Sequence, residues 1–411
     1  MALIAETVDA GRVGVCTPRG FRAGVAASDI RGDGAGSRLD VAVVRSDVPA
    51  AAAGLFTRNS VKAAPVVISQ LTLRRGTRIG GLVVNAGNAN ACTGPQGFRD
   101  ALVMCSTAAD ALDLDPSEVL VCSTGVIGRP MPMERVVPGI RQASATLSEQ
   151  AGDLAAHAIM TTDTRPKTVS AEFWHDGTRY AVGAMAKGAG MMHPDMATLL
   201  AFITTDAPVQ PAALQPLLAR VAGSTLNCVT VDGDTSTNDA LILLANGAGG
   251  GTPLGSDSRS LSALEDCLYG VCESLAEQLV ADAEGATRHF RVQVAGAGGA
   301  DEARAAALTV AQSPLVKAAV HGGDPNWGRI VAAVGRSGAA FMLDRCRVAV
   351  AGLTVFDRGM PAPVDEGSLR AAFSRPRIDI EIDLGAGDAS AHAWGCDLSP
   401  EYVRINAEYT T

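Results

Sequence analysis

The side chains of this sequence that could act as nucleophiles are not arranged in the common ways. There is no GxSxG elbow and no HExxH pair, and the six histidines are dispersed. His193 and His321 sit in motif-like surroundings, but a lone histidine is more often structural than catalytic. Asp232, Asp234 and Asp239 fall in the polar stretch VDGDTSTND, which lacks EF-hand spacing and its terminal Glu, so it reads as a solvated or capping loop and no metal site is expected. The glycine-rich pieces GAGMM and HGGDPNWGR match neither phosphate-loop pattern. A threonine needs no histidine if it becomes the first residue of a chain, because its own α-amino group, titrating near pH ~8, then serves as the base. The preceding peptide bond must break first, which favours a small residue before it and an unusual backbone around it. KGAGMMHPDMATLL, residues 187–200, supplies both at Ala197 and Thr198. Ala-Thr pairs are common and mostly inert, so this logic by itself leaves the assignment open.

The elements that must hold such a residue follow from apolar periodicity. Val41 to Val44 is the first clear strand, and the apolar run Ile79 to Val84 leads into NAGNANACTG (Asn85 to Gly94), which reads as a loop at a strand end. Asp100 to Leu112 has helical spacing, and Val119 to Cys122 is a buried strand running into STGVIG. Val169 to Trp174 and Tyr180 to Met185 flank His175, Asp176 and Gly177 as a hairpin. Gly188, Gly190 and Pro194 disfavour a helix before Thr198, from which a strand is expected to run to Thr205. Pro211 to Val221 and Leu261 to Val280 are helical, and the latter carries a leucine and valine stripe. Phe290, Val292 and Val294, and then Ile378, Ile380 and Ile382, alternate as strands with one wet face.

Composition limits the classes of function. A chain of 411 residues can build several cooperating lobes around a deep pocket. With 47% hydrophobic and 19% charged residues it is an ordinary globular sequence, and its 4% aromatic content leaves the core to Ala, Val and Leu. A net charge of −9 with no basic run argues against nucleic acid or anionic membrane as a partner and favours small substrates. Nine scattered cysteines without a CxxC pair read as buried free thiols. Charged residues within the first thirty positions argue against a secretory signal, and no apolar run reaches membrane-spanning length, so a cytoplasmic protein is expected.

Eight segments, in order, carry a resemblance: GLFTRN (54–59), NAGNANACTG (85–94), CSTGVIG (122–128), IMTTDTRPK (159–167), KGAGMMHPDMATLLAFITTDA (187–207), DAEGATR (282–288), HGGDPNWGR (321–329) and the terminal YVRINAEYTT. Together they resemble the ornithine acetyltransferase family, the glutamate N-acetyltransferases of arginine biosynthesis, across essentially the whole chain. The resemblance implies a layered α/β sandwich of the self-processing type. Its main lobe would span 1–206, a small inserted α/β lobe 207–285 and a C-terminal α/β lobe 286–411. It implies autocatalytic cleavage between Ala197 and Thr198, giving subunits 1–197 and 198–411 that assemble as a heterotetramer. Thr198 then carries acetyl from N-acetylornithine to glutamate by a ping-pong route. Thr124 and Gly125 would form the oxyanion hole, and Thr161, Lys187, Thr198, Glu284, Asn406 and Thr411 would contact substrate. No cofactor is implied, although some members accept acetyl-CoA as a substrate. The alternative is an amidase or aminopeptidase of the related self-processing fold, in which water takes the acyl group.

Overall fold

The computed structural model describes residues 11–34, 36–193, 199–255 and 258–408. Ala197, Thr198 and Thr411 lie outside these, so the expected cut, nucleophile and C-terminal contact have no structural description.

Among the described residues, fourteen strands and eleven α-helices form two sheets with helices packed on them. The first sheet contains β1 (Phe21–Ala26), β2 (Val41–Phe56), β3 (Ile79–Asn88), β4 (Val119–Val126), β5 (Lys167–His175), β6 (Thr178–Lys187), β7 (Leu200–Thr205) and β8 (Ala240–Ala245). Its order is β4-β3-β2-β8-β7-β6-β5, with β1 also paired to β2; β3 and β4 are parallel, as are β7 and β8. The second sheet, β12-β11-β10-β13-β9-β14, comprises β9 (His289–Ala297), β10 (Arg347–Val350), β11 (Leu353–Asp357), β12 (Met360–Pro361), β13 (Arg377–Asp383) and β14 (Ala389–Cys396).

The sixteen residues of β2 organise the first sheet. Val41 pairs with Asn85 at the end of β3, while Phe56 pairs with Ala240 at the start of β8. A straight strand would hold Val41 and Phe56 ~50 Å apart. Yet Asn238, two residues before Ala240, donates through Nδ2 to the carbonyl of Ser123, which is itself paired with Asn85. The strand must therefore bend, and it does so where its register with β3 shifts between Arg45 and Ala50. That stretch contains Pro49, which has no N–H for a ladder and suits a bulge. The sheet folds back on itself. Alternate residues of both halves, among them Val84, Cys122, Leu200, Phe202 and Ile242, share one inner core.

Helices cover the outer faces. α1 (Ala64–Arg74), α2 (Gly94–Leu112) and α3 (Met133–Ala145) pack on the β1 to β4 half, through Ile68, Met104 and Ile140 against Val43 and Val121. α4 (Gly152–Ala158) contributes Ala155 and Ala156 to the inner core. α5 (Pro211–Gly223) and α6 (Ser258–Ala281) cover the other half; the α6 stripe Leu264, Leu268, Val271, Leu275 and Leu279 is fully buried against Val182, Ile203 and Leu243. On the second sheet sit α7 (Ala300–Ala311), α8 (Pro314–Gly322), α9 (Trp327–Gly335) and α10 (Glu366–Phe373), and α11 (Pro400–Glu408) follows β14. The architecture is thus a layered α/β sandwich with a second α/β unit.

Three expectations need revision. The segment 207–285 is not a small inserted lobe: its strand β8 lies between β2 and β7 inside the main sheet, and α5 and α6 belong to that sheet's core. NAGNANACTG is not wholly loop either, because Asn85 to Asn88 complete β3. Eight cysteines are free and buried as expected, but Cys92 is exposed. Among the described residues no helix is long and apolar enough to cross a membrane, and no cluster of His, Cys, Asp or Glu could hold a metal.

Candidate active site

Folding the sheet back brings the ends of β4 and β6 to the start of β8, and a small cavity of about 80 Å³ opens there. Thr124, Gly125, Thr161, Lys187, Glu284 and Asn406 all line it. Six of the residues implied by sequence, drawn from five distant segments, thus share one space.

Thr124 and Gly125 lie near the end of β4, where the pairing with β3 is irregular around Gly87 and Asn88. Gly125 has φ +131°, and a Cβ there would come within 2.3 Å of the Gly87 carbonyl carbon. Only glycine fits both the backbone angle and the approach. The bulge turns this strand end toward the cavity. Lys187, the last residue of β6, places Nζ 2.7 Å from Thr161 Oγ1 and 3.4 Å from Thr124 Oγ1. A lysine ammonium only donates, so the Thr124 hydroxyl keeps its own hydrogen for an oxygen in the cavity.

A buried charge network lies beneath. Lys167 Nζ sits 2.7 Å from Asp163 Oδ1 and 2.6 Å from Asp282 Oδ2, with no exposure of the lysine side chain. Asp163 also accepts from the Gly188 amide at 2.7 Å and the Thr161 amide at 3.1 Å, and its Oδ2 is 4.0 Å from Lys187 Nζ. The backbone on both sides of the cavity therefore hangs on one carboxylate. Burial by itself would raise the Asp163 pKa, but Lys187 and Lys167 outweigh it and hold the group at about 2, below the ordinary 3.8. Burial pulls Lys187 down, and the like charge of Lys167 adds to this, while Asp163, Glu284 and Asp239 oppose it.

The sign of the acid response follows from these directions. A carboxylate with a depressed folded pKa stabilises the fold above its unfolded pKa and loses that contribution as pH falls through the folded value. Asp163 should thus cost on the order of 2 kcal/mol of stability between pH ~4 and pH ~2. Comparing urea midpoints of the natural chain and Asp163→Asn at pH 7 and pH 3 checks it: the gap between them must narrow at the lower pH.

Opposite Lys187, Glu284 Oε2 accepts from Asn406 Nδ2 of α11 at 2.9 Å, and the Glu284 amide donates to the Ala189 carbonyl. Gly190 permits this placement, since a Cβ there would lie 2.4 Å from Glu284 Oε2. Among the described residues the cavity presents one cation and one anion, the complement of an amino acid's carboxylate and ammonium.

Sequence reasoning missed Asp163 and Lys167, although both lie in TTDTRPK, and it missed Asp282 in DAEGATR. VDGDTSTND reads from sequence as a solvated or capping loop, and only the capping half of that reading holds. In fact Asn238 is buried and donates to both the Ala89 and Ser123 carbonyls, while Asp232 accepts from the Met191 and Met192 amides and from Tyr402 Oη. The available signal was the density of Thr, Asn and Asp in a stretch leading into an apolar strand.

Comparison with known proteins places the chain in a family. The sequence profile of the ArgJ family matches residues 22–411. The chain belongs to the ArgJ family. The arginine biosynthesis bifunctional protein ArgJ of Symbiobacterium thermophilum is 48% identical over 97% of this chain and 98% of its own length. The ArgJ of Mycolicibacterium paratuberculosis is 44% identical over 99% of this chain and all of its own length. Among solved structures, ArgJ from Bacillus halodurans is 36% identical with a TM-score of 0.49, covering 50% of this chain and 97% of the solved chain. Ornithine acetyltransferase from Mycobacterium tuberculosis, solved with ornithine, is 42% identical with a TM-score of 0.42, covering 46% of this chain and 97% of its own.

Proposed function

We propose that this chain is the ornithine acetyltransferase of arginine biosynthesis, moving an acetyl group from N-acetylornithine to glutamate and so giving ornithine and N-acetylglutamate. The observation that carries the reading is the cavity in which Thr124, Gly125, Thr161, Lys187, Glu284 and Asn406 converge. Lys187 suits a substrate carboxylate, and Glu284 suits the amine of ornithine. In this reading the chain cuts itself between Ala197 and Thr198, and the Thr198 hydroxyl attacks the acetyl carbonyl with its own α-amine as base. Ornithine leaves, and the acetyl ester waits for glutamate. The Thr124 hydroxyl and the Gly125 amide face the oxygen that gains charge at each attack. By the same resemblance Thr411 contacts substrate, the two subunits pair as a heterotetramer, and the enzyme works in the cytoplasm without a cofactor.

The test is acetyl transfer by the purified chain, with N-acetylornithine and acetyl-CoA offered separately and acetylglutamate and free acetate both measured. Transfer to glutamate from N-acetylornithine supports the proposal, and activity with acetyl-CoA would add a second donor. Acetate as the dominant product would instead favour the amidase reading, which the names of the relatives disfavour. Thr124→Ala should lower kcat for transfer by roughly 10²- to 10³-fold with little change in KM, as loss of one oxyanion donor does. An unchanged kcat would remove Thr124 from that role.

A further inference from the structure

The longest strand leaves part of one edge open. β2 pairs with β3 only as far as Ala50, which lies opposite Ile79, and its remaining residues from Ala51 to Phe56 pair with β8 on the other side. Thr57 continues the β8 ladder, its amide donating to the Asp239 carbonyl at 3.1 Å. Backbone groups alternate in direction along a strand, so Ala51, Ala53 and Leu55 turn theirs toward β8 as Thr57 does. Ala52, Gly54 and Phe56 turn theirs away. On that side β3 has not begun, because residues 76–78 are still leading from α1 into Ile79, and no described strand pairs with the edge. A cavity of about 490 Å³ lies along it.

At one position a side chain fills this edge. Gln215 of α5 accepts through Oε1 from the Gly54 amide and donates through Nε2 to the Gly54 carbonyl, both at 3.1 Å. A residue of a neighbouring antiparallel strand would make the same pair of bonds. Ala52 and Phe56 flank Gly54 with backbone groups facing the same way, and an open strand edge is a template for a further extended chain. Across the cavity stand Arg74, in the last turn of α1, and Arg78, and no acidic side chain lines the space. Neither arginine has a hydrogen bond or ion pair with a described residue. In a chain of net charge −9, the cavity is a local reversal of sign.

We propose that the edge of β2 from Ala52 to Phe56 binds an extended acidic segment of a separate protein, added as a strand, with its carboxylates on Arg74 and Arg78. The incoming strand displaces the Gln215 amide and takes both bonds to Gly54, while Ala52 and Phe56 supply the ladder on either side. Guanidinium groups match carboxylates in charge and in geometry, which selects acidic side chains over others. A second copy of this chain is the poorer occupant. About a two-fold axis the same surface meets itself, and four arginines would crowd one interface. The groove shares no lining residue with the cavity that holds Thr124 and Lys187, so the proposal stands apart from the acetyl-transfer reading.

The experiment uses the full-length chain and fluorescence anisotropy of a short dye-labelled peptide in which valine alternates with glutamate. One control peptide carries lysine in place of glutamate, and a second carries N-methyl groups on the backbone. The glutamate peptide should bind, more weakly as salt rises, and neither control should. Arg74→Glu combined with Arg78→Glu should weaken binding roughly tenfold or more, as loss of a charge-assisted hydrogen bond does, with circular dichroism unchanged because both side chains are exposed. Gln215→Ala removes the competing amide and should tighten binding. No binding of the glutamate peptide at millimolar concentration overturns the proposal, and so does indifference to the arginine reversals. Equal binding of the N-methylated peptide overturns it as well, since that describes an anion site without strand addition. Sedimentation of the natural chain tests the other occupant: an assembly that the arginine reversals break apart would give the edge to a second copy and overturn the assignment to a separate partner.

Discussion

Thr198→Ala is expected to leave a single uncut chain of 411 residues with no measurable acetyl transfer. In the proposed reading one hydroxyl does two things: it attacks the Ala197 carbonyl once, then attacks acetyl carbonyls repeatedly. Alanine removes it with little change in volume, so the fold should survive, and the variant should give circular dichroism and thermal unfolding close to those of an uncut precursor. Loss of a nucleophile typically lowers turnover by a factor on the order of 10⁴ to 10⁶, to what the surrounding donors supply alone. Thr198→Ser keeps a hydroxyl and should retain cleavage at a reduced rate. Gel electrophoresis and intact mass measure the cut, and a coupled assay for ornithine measures turnover. Two normal subunits from Thr198→Ala would end the nucleophile assignment.

Lys167→Met should be the most damaging substitution away from the reacting atoms. Methionine has a similar reach and fills the same volume, but it leaves Asp163 and Asp282 buried with no cation between them. Removing one partner of a buried pair costs about 3 to 5 kcal/mol, far more than the pair contributes relative to an apolar substitute. Asp282 retains bonds from the Thr164 hydroxyl and amide, and Asp163 from two backbone amides, so the unfolded state need not win outright. The damage extends to the site, because Asp163 fixes both the Thr161 and Gly188 amides, and Lys187 beside Gly188 touches Thr124. A fall in the urea midpoint together with a rise in KM is the expected pair of results. A stability loss under ~1 kcal/mol would mean that water reaches the network and the charges are not dry. Adding Asp163→Asn to Lys167→Met should restore part of the stability, since it removes one of the stranded charges.

Periodicity made the secondary structure legible wherever one face of an element is wet or one stripe is long. The α6 stripe, the hairpin of β5 and β6, and the alternation of β13 are visible because burial repeats at intervals of 3.6 or 2 residues. The roles of Thr124 and Gly125 in CSTGVIG and of Lys187 in AKGAG came only from the family resemblance, since Lys187 taken alone reads as a solvated surface charge. The ordered motifs tied these to one family. None of them carried the distance between segments.

Tertiary structure alone decided three things. It placed 207–285 in the main sheet, because the pairing of β2 with β8 joins residues nearly two hundred positions apart, and local pattern carries no information on such contacts. It buried Lys167 between Asp163 and Asp282, charges that in isolation read as solvated surface, because the energy of a buried ion depends on partners far away in the chain. And it buried Asn238 and Asp239, although the polar composition of VDGDTSTND suggests a wet loop. The sequence by itself determined which residue types could attack, polarise and bind, and the ladder preferences of each segment. Only the bend of β2, which folds one sheet into two layers, brought those residues within hydrogen-bond range of each other.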